Sequence, residues 1–193
     1  PLQLNERALP GKYVLTIRMH PVLGTVTDTS VSLATSTKYY VVPRTLAGSV
    51  YADMLEAIKQ LAYVADQDQI DMILDADSPA ERERQFEEFW KRLDPTPQTV
   101  RNEAFEEYYQ RIASANKRFK SYADGWRTDM GRVYVIYGDP RDIERFQSQT
   151  GTTLIVRWVY NNNLAFTFED STGFGDFRLR SPLPPGVKYR YNR

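Results

Sequence analysis

Apolar and polar residues alternate from Gly11 to Met19, with Tyr13, Leu15, Ile17 and Met19 set against Lys12, Thr16 and Arg18. Successive side chains of a strand point to opposite faces, so this period of two predicts a half-buried β-strand. A loop from Pro21 to Asp28 follows, then a second β-prone run from Ser30 to Val42 that Pro43 ends. Beyond Pro43 the period changes. Tyr51, Met54, Leu55, Ile58, Leu61 and Ala65 recur at helical spacing, and Ile70, Ile73 and Leu74 predict a second, shorter helix. Ser78-Pro79-Ala80-Glu81 reads as a helix start, with Ser as cap, Pro at the first helical position and Glu at the third. The helix it opens sets Phe86, Phe89, Trp90 and Leu93 on one face, until Pro95 and Pro97 end it. From about Asn102 to Tyr122, Phe105, Tyr108, Tyr109, Ile112 and Phe119 form one stripe, and Glu106, Glu107, Arg111, Lys117 and Arg118 the solvated face.

After Gly125 the pattern is that of strands. Val133 to Tyr137 is β-branched and aromatic and predicts a strand. Asp139-Pro140 predicts the start of a short helix through Ile143 and Phe146. Leu154 to Tyr160 and Leu164 to Glu169 predict two strands joined by Asn161-Asn162-Asn163, residues that tolerate left-handed turns. A further strand follows the glycine-rich turn at Gly173-Phe174-Gly175. The fold class this order predicts is α+β: an N-terminal β-hairpin, then a helical segment packed on a small antiparallel meander sheet.

Composition narrows the function. Of 193 residues, 41% are hydrophobic and 26% charged, which marks a globular chain. Aromatics reach 13%, enough for a substantial core or for an interface. The 25 basic and 25 acidic residues balance, which argues against nucleic acid as a partner. Cysteine is absent, so disulfides, thiolate metal sites and cysteine nucleophiles are excluded. His20 is the only histidine, and it reads as a surface residue. Asp66, Asp68, Asp71, Asp75 and Asp77 form the densest acidic run. A calcium loop starting at Asp66 needs Gly at its sixth place, where Asp71 stands, so a solvated helix face is the better reading. No metal and no cofactor is expected, and Gly173-Phe174-Gly175 is too short for a phosphate loop. No apolar run approaches the ~20 residues of a membrane span. No signal-peptide pattern is present, and a start at Pro1 is compatible with a processed or an incompletely represented amino terminus, so export stays open.

Gly125-Trp126-Arg127-Thr128-Asp129, then Gly131-Arg132-Val133-Tyr134 and Tyr137-Gly138-Asp139-Pro140, form the most specific stretch. It is preceded by Phe89-Trp90 with Asp94-Pro95-Thr96-Pro97, and by Asn102-Glu103, Tyr108-Tyr109 and Ala115-Asn116-Lys117-Arg118-Phe119. It is followed by Trp158-x-Tyr160, Phe166-Thr167-Phe168-Glu169-Asp170 and Gly173-Phe174-Gly175-Asp176. Together these resemble the GWxTD domain family of bacterial proteins over roughly Leu46 to Leu179. Met130 departs from the basic residue that the family pattern leads one to expect. The family is named for its motif rather than for an activity, so the resemblance implies an architecture and a bacterial, extracytoplasmic envelope setting, and no catalytic residues.

Family members often carry an immunoglobulin-like sandwich upstream, and Leu9-Pro10-Gly11-x-Tyr13-x-Leu15-x-Ile17 is similar to a late strand of one. The expected organisation is residues 1–43 as the last strands of a β-sandwich-like unit, 44–180 as the GWxTD-like α+β domain, and 181–193 as an extended tail. A plain hairpin packed on the main domain is the equal alternative for 1–43. The candidate site is Gly125, Trp126, Thr128, Asp129, Tyr137, Gly138, Pro140, Trp158 and Tyr160. Aromatic rings beside a carboxylate suit sugars or peptides, with Asp129 as general acid and Asp139 or Glu169 as its partner. The competing reading is structural: Thr128 or Asp129 bonds backbone amides in a turn, and Trp126 is buried. The expected function is a non-enzymatic interaction or scaffold domain of a bacterial cell-envelope protein, with other protein subunits as partners. The alternative is a carbohydrate- or peptide-processing enzyme, or a glycan-binding module, with its site around Trp126, Asp129 and Tyr137.

Overall fold

The computed structural model describes residues 11–23, 26–27, 29–30, 32–42, 46–99, 101–148, 153–161 and 163–191. The chain divides into two compact units, Pro1–Asp53 and Met54–Arg193.

In the first unit β1 (Gly11–Met19) pairs antiparallel with β4 (Ala34–Val42), from Gly11 opposite Val42 to Met19 opposite Ala34. Between them β2 (Val22–Leu23) and β3 (Val26–Thr27) form a minor ladder, and α1 (Leu46–Ala52) follows. Among the described residues no third strand joins the β1–β4 ribbon. Its odd-numbered face carries Ile17 and Met19 at 57% and 60% exposure, and Val14 on the other face is 58% exposed.

The second unit begins with α2 (Met54–Lys59), a 3₁₀ turn Gln60–Tyr63 and α3 (Gln67–Leu74). Asp66 N–H donates to Gln69 Oε1 at 3.0 Å and Gln67 Nε2 to Asp71 Oδ1 at 2.7 Å, so these members of the acidic run organise the first turns of α3. Ser78 Oγ accepts from Glu81 N–H at 3.1 Å and starts α4 (Pro79–Arg92) as its sequence predicts. Asn102 starts α5 (Glu103–Arg118): its Oδ1 accepts from Phe105 N–H at 2.9 Å while its Nδ2 donates to Trp90 O at 2.7 Å, tying one helix end to the next helix start. The facing stripes form an aromatic core. Trp90 meets Phe105 edge-on at 5.4 Å and Tyr109 at 5.6 Å, and the Tyr109 hydroxyl donates to Ala57 O at 2.9 Å.

Two elements differ from expectation. Residues 129–137 are a helix, α6 (Asp129–Tyr137), where the β-branched run predicts a strand. Val133 and Val135 are wholly buried and Ile136 nearly so, and a run enclosed on all sides has no polar face from which to read its period. Packing and a good cap override the weak β-preference of valine. Pro140 opens no helix. Asp142–Gln147 is instead β5, pairing with β6 (Leu154–Val159) from Asp142 opposite Val159 to Gln147 opposite Leu154. Pairing with β6 rather than local periodicity sets this element, since Arg145 breaks the alternation that Asp142-Ile143-Glu144 begins, and Asp139 is held by Arg118 rather than capping a helix.

β7 (Ala165–Asp170) and the short β8 (Arg178–Leu179) complete a four-stranded antiparallel meander in the order β5-β6-β7-β8. Asn163, at φ 58°, turns the chain between β6 and β7. The inner face of the sheet presents Trp158, Phe166 and Phe168, and its outer face carries the Glu144–Arg157 and Glu169–Arg180 ion pairs. The fold is thus α+β, helices on one face of a meander sheet. Among the described residues, the segment after β8 has neither helix nor strand, yet it is docked. Tyr189 N–H donates to Tyr63 O at 2.6 Å, its ring meets Tyr108 at 5.0 Å, and Lys188 Nζ donates to Ala62 O and Ala65 O at 3.1 and 2.6 Å.

Candidate functional site

Gly125–Arg127 is a single 3₁₀ turn between α5 and α6. A Cβ on Gly125 would lie 2.0 Å from Ala115 O, and one on Gly131 1.8 Å from Gly125 O. Three backbone segments therefore touch directly, and only glycine fits at the two contacts. Thr128 locks the junction: its hydroxyl donates to Gly125 O at 2.7 Å and accepts from Gly131 N–H at 3.0 Å, capping α6. Asn116 Oδ1 accepts from Trp126 N–H at 3.1 Å. Trp126 is buried edge-on against Tyr63, whose hydroxyl donates to Trp126 O at 3.0 Å, and the Arg127 guanidinium lies 4.9 Å above the indole. Burial pushes the Tyr63 hydroxyl up, so it stays a neutral donor. Asp129 is half-buried, and its Oδ2 accepts from Leu179 N–H at 2.8 Å, fastening β8 to the start of α6.

The other end of α6 is a second joint. Gly138 takes φ 80°, a conformation that favours glycine, and its carbonyl accepts from the Tyr160 hydroxyl at 2.9 Å. Arg111 Nη1 donates to Val135 O and Ile136 O at 3.1 and 3.2 Å and satisfies the last carbonyls of the helix. Tyr137 stacks obliquely on Tyr160 and Phe166, at 5.6 and 5.0 Å. Pro140 is half-buried after Asp139, which is bound by Arg118 Nη1 at 2.6 Å. Trp158 makes no bond in either joint and is buried between Phe119 at 5.4 Å and Phe168 at 4.8 Å.

The nine candidate residues thus form two joints and one core contact, not one constellation. Trp126, Trp158 and Tyr160 are 6%, 2% and 8% exposed, so their rings offer no flat platform to a sugar. The carboxylates do not converge either. Asp129 is the first residue of α6 and Asp139 follows its last, Tyr137, and the helix between them is about 12 Å long at 1.5 Å per residue. Paired glycosidase carboxylates stand about 5–9.5 Å apart. Glu169 is bound by Arg180 at 2.7 Å on the far face of the sheet. Among the described residues no group of three acidic or histidine side chains is placed to hold a metal ion, and no helix is long and apolar enough to cross a membrane.

The sequence reading missed a cleft of about 540 Å³ beside the first joint. Its wall includes Thr128 and Met130 from the motif, Arg118 and Lys120 from the end of α5, Arg145 from β5 and Phe177 from the loop before β8. With Val156 and Trp158 of β6 the lining comes from five separate stretches of chain, and only the unusual Ile143-Glu144-Arg145 pattern hints at it, by setting a cation where an inward apolar residue belongs.

No curated protein and no solved structure is significantly similar to the chain. The model of the GWxTD domain matches residues 30–178. That stretch includes the 3₁₀ turn, both glycine contacts and the Thr128 cap, and on this match the chain belongs to the GWxTD domain family.

Proposed function

We propose that the chain is a non-enzymatic protein-interaction domain, a scaffold subunit of an assembly in the bacterial cell envelope. The β1–β4 ribbon carries the reading: it presents Val14, Ile17 and Met19 to solvent with no further strand beside it among the described residues. Two strands alone are marginal in water, and open strand edges invite pairing, so a partner surface is the economical cover. The motif chemistry supports the same reading. Thr128, Asn116 and Asp129 spend their polar atoms on backbone groups within the domain. The envelope setting rests on the family resemblance. The test is native isolation of the full-length protein from its source, followed by mass measurement of the intact complex. A stoichiometric protein partner is expected, and a lone monomer refutes the scaffold reading.

A further inference from the structure

The geometry points to the cleft beside the motif turn as a docking groove for an acidic peptide segment of a partner protein that carries an aromatic or large aliphatic side chain. This rests on the interaction-domain reading and adds to it a surface and a partner chemistry. At about 540 Å³ the cleft falls within the ~300–1,000 Å³ of ordinary ligand pockets. Its floor is apolar, with Phe119, Ile143, Val156 and Trp158.

Charge sets the sign of the occupant. Arg118, Lys120 and Arg145 line the cleft against one carboxylate, Asp176. Asp176 is already held by Arg178 at 2.8 Å, and Arg118 by Asp139 at 2.6 Å. Lys120 and Arg145 remain, both exposed and neither in an ion pair among the described residues. Arg145 is the telling one. In the β5–β6 register it stands opposite Val156, two places from Ile143, which stands opposite Trp158, so it occupies the inner face of the sheet. An exposed guanidinium on an otherwise apolar wall is a ready bidentate partner for a carboxylate. The competing role for such a residue is to blunt an edge strand against aggregation.

Shape favours a peptide over a small acid. Among the described residues β5 is the outermost strand of its sheet, and two of its residues line the cleft, so an extended chain lying there runs beside an edge strand. Two exposed rings flank the groove in sequence: Tyr122, 88% exposed, follows the lining residue Ser121, and Phe174, 78% exposed, precedes the lining residue Gly175. Phe174 is held on a stiff support. Asp170, 1% exposed, accepts from Thr172 N–H, the Thr172 hydroxyl and Gly173 N–H through Oδ1, and from Gly175 N–H through Oδ2, at 2.7–3.0 Å. Gly173 and Gly175 take φ 75° and 83°. A rigid loop that presents an aromatic ring loses little entropy on binding, which is how paratopes use their aromatic anchors.

The test is selection of a random phage-displayed peptide library against the full chain, with titration of the resynthesised peptides. Enriched peptides are expected to set Asp or Glu beside Phe, Tyr, Trp or Leu. The double substitution Lys120→Glu and Arg145→Glu is expected to weaken them at least tenfold. Peptides with their acids replaced by Lys should fail on the wild type and recover on the doubly substituted protein, a rescue that also shows the variant is folded. Absence of enrichment, enrichment without acidic residues, or binding that survives the double substitution overturns the proposal. So does phenylpropionate binding as tightly as the peptides, which makes the cleft a small-molecule site. The double substitution in the full-length protein separates this idea from the reading it rests on. A natively isolated partner that stays bound refutes the groove and leaves the interaction domain standing, whereas a wild-type protein with neither partner nor selected peptide refutes both.

Discussion

The β1–β4 ribbon and the four-stranded meander are both antiparallel and meet opposite fates. Ile17 and Met19 on β1 are more than half exposed, whereas Phe166 and Phe168 on β7 are fully buried and Trp158 on β6 is 2% exposed. The meander has α6 and the end of α5 against one face, with Tyr137 on Phe166 and Phe119 on Trp158. The ribbon of β1 and β4 has no such cover among the described residues of its own unit. Strand propensity is therefore not what distinguishes them. A strand contributes to stability when its apolar face is removed from water, and the GWxTD turn is the joint that holds the covering helix in place.

All three tryptophans, Trp90, Trp126 and Trp158, lie in the second unit, so their fluorescence reports its unfolding. The largest effect is expected at the glycine contact. Gly131→Ala sets a methyl carbon 1.8 Å from a backbone carbonyl with no flexible side chain to give way, and a loss of more than about 4 kcal/mol is expected in the urea unfolding of this unit. A loss under 1 kcal/mol would show that the joint is loose and that the comparison needs another explanation. Next is Asp170→Ala, which removes the acceptor of three backbone amides at the Phe174 loop and is expected to cost about 2–3 kcal/mol.

The same carboxyl has a pH signature. Burial pushes it up, but the hydrogen bonds from Thr172, Gly175 and Gly173 outweigh burial and hold it below the ordinary aspartate range. A depressed carboxyl stabilises fully above its unfolded value of about 3.9 and loses that contribution as pH falls through the lower folded value. The urea midpoint of the wild type should therefore fall below about pH 4 by more than that of Asp170→Asn, and equal slopes would remove Asp170 from the account.

Thr128→Ala removes the cap of α6 and is expected to cost about 1–2 kcal/mol, while Thr128→Ser keeps the hydroxyl and most of the stability. Ile17→Ser should change the stability of the isolated chain by less than about 0.5 kcal/mol, because the side chain is already in water. A large loss on thermal unfolding of the ribbon would mean that its apolar face is covered within the chain after all.

Much of the fold is legible where a boundary residue and a period agree. Ser78 with Pro79, Asn102, and the β-branched and aromatic run through Leu154 to Val159 each announce an element that forms. Legibility fails between Asp129 and Gln147, where helix and strand exchange places. The Thr128 hydroxyl is readable as a backbone partner, but which element it starts depends on α5 and Arg111 receiving a buried helix. The candidate residues are likewise visible as a motif, and their roles are not. Asp129 meets Leu179 N–H fifty positions away, and nothing in the local spacing signals that bond. The same holds for the cationic cleft, assembled from side chains that sequence keeps apart.

Tyr189 carries a consequence for how the molecule is made. The residue completes the packing around Tyr108 and donates to Tyr63 O, 126 positions earlier. At about 5–20 residues per second, the nascent chain carries Tyr63 for roughly 6–25 s before Tyr189 is added. Throughout that interval the ring that closes the core around Tyr108 is absent, so this unit reaches its full packing only once its carboxy-terminal segment has been made.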